Sequence, residues 1–133
     1  MLSDPERLRR GEEKIGEILG QTGDRVRGNL ADIAPDFATY VLEVVYGDIY
    51  QNATLDAKTR QLVTVVTVAA LGHAQPQLVT HLNGALRVGW TRDELIQVLL
   101  QVAVFAGLPA GLNAVDTART VFARLDAETK TNG

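Results

Sequence analysis

Two stretches of helical length, residues 62–71 and 95–106, are apolar on almost every side. The first offers only Thr64 and Thr67 as polar side chains, the second only Gln97 and Gln101. A helix on the surface of a soluble domain shows water a polar face, and a chain of 133 residues has room for about one core. Either both helices lie at the centre of a monomer, or further copies of the chain cover their outer sides. Mutual cover is the simpler solution, so an obligate homo-oligomer is the expectation.

Apolar residues recur throughout with a period near 3.6 and hardly anywhere with a period of two, which predicts an all-α chain of about six helices in a single domain spanning 1–133. A charged helix is expected over about 5–20, with Pro5 in its first turn and Gly20 as its stop. A second is expected over 32–46, where Ile33, Phe37, Tyr40, Val41, Val44 and Val45 keep helical spacing and Gly47 ends the run. Residues 47–52 read as a structured connector, since Ile49 and Tyr50 are too apolar to sit free in water. Asp56 is a natural N-cap for a helix to Leu71, closed by Gly72. The next helix covers 76–88 and stops at Gly89. Thr91 and Glu94 then form a capping box, flanked by the staple pair Trp90 and Leu95, for a helix ending at Gly107. Pro109 opens a last helix to about Ala127, after which the tail is expected to fray.

Thirteen Lys and Arg against 16 Asp and Glu leave a net charge of −3, without the concentrated basic surface that phosphate backbones require, so nucleic acid is not an expected partner. The longest charge-free stretch, 95–115, is interrupted by Gly107 and Pro109 and does not read as a membrane span. The first residues lack the basic and apolar regions of a signal peptide, which makes the cytoplasm the expected compartment. The absence of cysteine removes disulfides, thiol catalysis and cysteine-ligated metals together. Two histidines eight residues apart, with no carboxylate at helical spacing, match no metal-ligand pattern, and the glycines fall as helix stops rather than as a phosphate loop. Neither a metal nor an organic cofactor is expected.

Arg87 is the one formally charged residue between Gln61 and Trp90, so His81 lies in an apolar stretch. An imidazole there has its protonation shifted by burial, which suits an acid or base near neutral pH; it equally suits a core histidine satisfied by a backbone carbonyl. Gln77, one turn earlier, is placed to orient the ring or a substrate, or is a plain polar residue after Pro76. His73 reads as a solvated turn residue. Arg60 has the planar fork that grips a carboxylate, with Tyr46, Asp48 and Tyr50 nearby in sequence; the alternative is an Arg60–Asp48 structural brace. Asn113, in a charge-free stretch, needs partners if buried, or ties down a helix end.

The ordered segments Tyr46-Gly-Asp-Ile-Tyr50, Leu55-Asp-x-x-Thr-Arg60-Gln-Leu62, Ala69-Ala-Leu-Gly72, Pro76-Gln-Leu-x-x-His81-x-x-Gly84-Ala-Leu, Gly89-x-Thr-x-x-Glu94-Leu and Gln101-x-Ala-x-Phe-Ala-Gly107-x-Pro109-Ala resemble the carboxymuconolactone decarboxylase family over about residues 30–125. The resemblance implies a helical subunit built around a helix hairpin, assembled as a homotrimer or homohexamer with active sites near subunit contacts. The family's thiol-peroxidase branch carries a Cys-x-x-Cys pair where this chain has Ala74 and Gln77, and a relay glutamate that falls near Leu62, so peroxidase chemistry is excluded. The cysteine-free branch removes CO2 from 4-carboxymuconolactone without a cofactor. By that resemblance His81 is the proton-transfer residue, and Arg60, Tyr46 and Asp48 match family motifs and are candidates for substrate binding; from their own places in this sequence, Gln77 is added as a helper to His81, and Asn83 and Asn113 as further substrate-binding candidates. Dedicated decarboxylases carry an acid where this chain has Gln77, an arginine where it has Asn83, and a tyrosine where it has Phe105. The expected activity is a cofactor-free carboxy-lyase of aromatic-compound catabolism, acting on a small unsaturated lactone acid or β-keto acid. The alternatives are a lactone hydrolase or cyclising enzyme on the same fold, and a non-catalytic binding or assembly module.

Overall fold

A computed structural model describes residues 3–133; among these there are helices and turns but no strand. The chain divides into two compact units, Met1–Arg60 and Gln61–Gly133.

The N-terminal unit contains α1 (Pro5–Leu19), α2 (Gln21–Ala31) and α3 (Pro35–Tyr40), then a π-helical turn Val41–Tyr46 and a 3-10 turn Ile49–Gln51. Asp4 caps α1, accepting from the backbone N–H groups of Glu6 and Arg7. One side of α1 buries Ile15, Ile18 and Leu19, and Gly11 lets the helix touch the π-helical turn: a Cβ there would lie 2.0 Å from the Leu42 carbonyl oxygen. Glu43, also buried, accepts from Ser3 Oγ at 2.6 Å and from the Asp4 N–H at 2.7 Å. Helix α2 was not expected; Gly23, Gly28 and its mostly polar side chains blur the periodicity. The helix expected over 32–46 starts instead at Pro35 and widens into π register at Val41, which periodicity cannot foresee.

The C-terminal unit holds most of α4 (Ala57–Leu71), then α5 (Gln75–Arg87), α6 (Arg92–Ala106) and α7 (Leu108–Asn132). Its starts and stops follow the sequence. Asp56 Oδ1 accepts from the Thr59 N–H at 2.7 Å, the Thr91–Glu94 capping box is complete, and Gly72, Gly89 and Gly107 take positive φ at the breaks. The last helix does not fray after Ala127 but runs five residues further, with Thr129 and Thr131 bonded to carbonyls one turn back.

Its core is built from Val65 and Ala69 of α4, Leu78, Leu82 and Ala85 of α5, Leu95, Leu99 and Val102 of α6, and Ala114, Ala118 and Val121 of α7. Helices α4 and α6 each bury one stripe and leave apolar residues outside: Val63, Val66 and Leu71 on the first, Leu100, Val104 and Phe105 on the second, with Phe105 84% exposed. Between the two helices runs an apolar groove of about 520 Å³ lined by Leu62, Val66, Val98, Gln101 and Phe105. No helix among the described residues is long and apolar enough to cross a membrane.

Helices α6 and α7 meet at Gly111, where a Cβ would stand 2.2 Å from Ala103 Cβ and 2.7 Å from its Cα. Gly111→Ala should therefore force the pair apart and lower stability by about 1–3 kcal/mol, the usual cost of overpacking. Denaturant unfolding of the purified variant checks this; an unchanged midpoint would show that the close approach is not needed.

Candidate functional site

The stripe that α4 turns inward repeats every four residues: Gln61, Val65, Ala69. Two of these are small apolar residues, and the third is an amide with none of its surface exposed. A buried amide without partners costs about 1–3 kcal/mol, so its hydrogen bonds are decisive. Gln61 Nε2 lies 3.0 Å from His81 Nδ1 and 3.0 Å from the His81 backbone oxygen. Both the ring and the main chain of one residue in α5 thus satisfy a side chain near the start of α4. The histidine is partly buried, and Nε2 of its ring has no hydrogen-bond partner among the described residues.

Burial pushes the His81 pKa down from 6.5 to about 4, and no charged side chain contributes to the shift. At neutral pH the ring is uncharged.

The other candidates are spread over the chain. Gln77, on the helix of His81, is exposed, and the residue that meets the ring is Gln61 instead. Asn83 donates to the Val79 carbonyl of its own helix at 2.9 Å. Asn113 donates to the Gly72 carbonyl at 3.0 Å and so ties α7 to the turn between α4 and α5. His73 is exposed in that turn.

In the N-terminal unit, Tyr46 is buried with its ring 5.0 Å from that of Tyr50, and burial raises its phenol pKa. The expected Arg60–Asp48 brace is not formed. Asp48 is held instead by a fork from Arg7, Nε to Oδ1 at 3.2 Å and Nη2 to Oδ2 at 2.5 Å, with Arg10 at 3.8 Å. The hydrogen bond from Arg7 keeps that carboxyl below the usual range. Arg60 Nη2 donates to the Asn52 carbonyl at 3.0 Å. No group of three or more His, Asp or Glu side chains able to hold a metal ion occurs among the described residues.

Sequence reasoning passed over Gln61 because it sits at the edge of the apolar run. The available signal was its spacing: four and eight residues before Val65 and Ala69, on the core-facing stripe.

The shift at His81 fixes the sign of a pH effect. As pH falls through 6.5 the unfolded chain takes up a proton on this ring while the folded chain does not until about 4. Its contribution to stability is whole above 6.5 and is lost as pH falls toward 4, by on the order of 3 kcal/mol. Unfolding free energy measured across this window should fall more steeply for the wild type than for His81→Asn; equal slopes would contradict it.

The chain is similar to known proteins over most of its length. The model of the carboxymuconolactone decarboxylase family matches residues 35–120, which include both Gln61 and His81. The chain is 34% identical over 122 residues, 91% of its length and 90% of the relative's, to a 4-carboxymuconolactone decarboxylase of Acinetobacter baylyi. It is 35% identical over 97 residues, 72% of each chain, to an uncharacterized 15.0 kDa protein encoded in the nqo9-nqo10 intergenic region of Paracoccus denitrificans. Over 75 residues, 56% of this chain and 52% of the relative, it is 31% identical to a nitrosuccinic acid decarboxylase of Metarhizium robertsii. With the match covering the helices that carry the histidine and its buried amide, this chain belongs to the carboxymuconolactone decarboxylase family.

Proposed function

We propose that the chain is a cofactor-independent carboxy-lyase for a small acid whose carboxylate stands beside an electron sink, with His81 at the reacting centre. The observation that supports this most is the imidazole itself: it is kept uncharged by burial, held on one nitrogen by Gln61, and without a hydrogen-bond partner among the described residues on the other. Losing CO2 requires the electron pair of the broken C–C bond to be received elsewhere in the substrate. An unsaturated lactone or a β-keto group provides that sink, and so does the nitro group named in the fungal relative's substrate. The protein then has to place the acid and meet the charge that builds up. The default substrate is 4-carboxymuconolactone, named for the Acinetobacter relative. Asn83, bonded to its own helix, supplies no cation for a second carboxylate, so singly carboxylated lactones belong in the same panel.

The assay is CO2 release from 4-carboxymuconolactone, unsaturated lactone acids and β-keto acids. His81→Asn should preserve the fold and lower turnover by about a hundredfold or more, the scale of losing a group that acts on the reacting atoms. Arg60→Lys should raise KM more than it lowers kcat, because an ammonium lacks the planar fork. No CO2 from any member of the panel would overturn the lyase reading in favour of a binding or assembly module.

The assembly we propose is a homotrimer or a multiple of it, in which copies of the chain cover Val63, Val66, Val104 and Phe105. Light scattering at micromolar concentration should give such a mass, and a stable monomer would refute it.

A further inference from the structure

Nothing in the geometry needs Gln61 merely to fill space, since a leucine of similar volume would suit a stripe of Val65 and Ala69 better. What an amide brings is a fixed pattern of donors. Its nitrogen faces two acceptor candidates at equal distance, the His81 carbonyl oxygen and His81 Nδ1, each at 3.0 Å. A carbonyl oxygen accepts and never donates, so the group of Gln61 that faces it must be the NH2 and not the amide oxygen. The main chain of His81 thereby settles the orientation of the amide. With one N–H spent on that carbonyl, the other points at Nδ1, which must then present its lone pair. The ring proton is left on Nε2.

We propose that Gln61 is a positioning residue that locks His81 in the Nε2–H tautomer, and that this decides which chemistry the site performs. A ring held this way offers substrate a donor and no base. It cannot draw a proton from water through Nε2, which a lactone hydrolase relying on His81 would require. It can donate a hydrogen bond to an oxygen that becomes negative. Resting here on the lyase reading, the step balances without any co-reactant. The bond from carbon to the carboxylate breaks and CO2 leaves. Its electron pair moves into the conjugated carbonyl, forming an enolate whose oxygen accepts from Nε2–H. A proton from solvent water then adds to carbon. One proton is consumed per turnover, and the imidazole is neutral before and after. Protonating Nδ1 would set its N–H against that of Gln61, so the imidazolium is opposed by the same contact that orders the ring.

The lock can be read without a substrate. In the full chain carrying His73→Asn, so that a single imidazole remains, nitrogen-15 NMR should show His81 with Nε2 protonated and Nδ1 bare at neutral pH. A ring protonated on Nδ1, or one averaging between the two forms, would overturn the proposal whatever the enzyme does. Gln61→Glu supplies the reversal, because a carboxylate accepts where the amide donates. It should move the proton to Nδ1 and raise the ring's titration midpoint. In the CO2 assay it should lower kcat about tenfold or more while KM stays within about twofold. An unaltered tautomer in that variant refutes the lock, and an altered tautomer with unchanged kcat refutes its catalytic role. A wild type that shows the Nε2–H tautomer yet releases no CO2 would instead support the lock and overturn the lyase reading.

Discussion

A single buried amide sets the terms for the C-terminal unit. Gln61 lies with no exposed surface among residues that are otherwise aliphatic, and hydrogen bonds to the ring and the carbonyl of His81 offset the cost of placing it there. The bond joins the first part of α4 to the middle of α5, so the two helices fold back on each other with the histidine at a fixed depth. Helix α7 is added to the same hairpin by Asn113, whose amide reaches the Gly72 carbonyl at the turn, and Gly111 brings it against α6. Apolar burial supplies most of the driving force for such a core, but it is indifferent to which residue faces which. The directional bonds supply the register.

Most helix boundaries were legible because they are local. The capping box at Thr91 and Glu94, Asp56 before α4, and glycines at 72, 89 and 107 act within one turn of chain, and the sequence displays them directly. The exceptions have physical causes. Helix α2 is polar and carries two glycines, so it shows little periodicity; nothing in the letters of Val41–Tyr46 distinguishes a π-helical turn from an α-helical one. The extension of α7 past Ala127 depends on threonines bonding to their own helix, a modest effect that composition does not advertise.

The site was legible in part. His81 could be picked out as a ring in an apolar stretch, and the structure places it so. Its neighbour could not be guessed by adjacency along a helix: Gln77 shares its helix and is exposed, whereas the residue that touches the ring lies twenty positions earlier. Asp48 shows the same gap, since its partner is Arg7, forty-one residues away, and not Arg60. Ion pairs and amide bonds across such separations follow from how helices dock, which one-dimensional patterns leave open. The periodic stripe of Gln61, Val65 and Ala69 is a place where a sequence pattern marks a buried polar group, and that group meets His81.

The claim that the amide dictates the state of the ring is tested most directly by neutron diffraction from a deuterium-exchanged crystal near neutral pD. Nuclear density should place a deuteron on His81 Nε2 and none on Nδ1, with the two deuterons of the Gln61 amide directed at Nδ1 and at the His81 carbonyl oxygen. A deuteron on Nδ1, or an amide oxygen turned toward the ring, would contradict it.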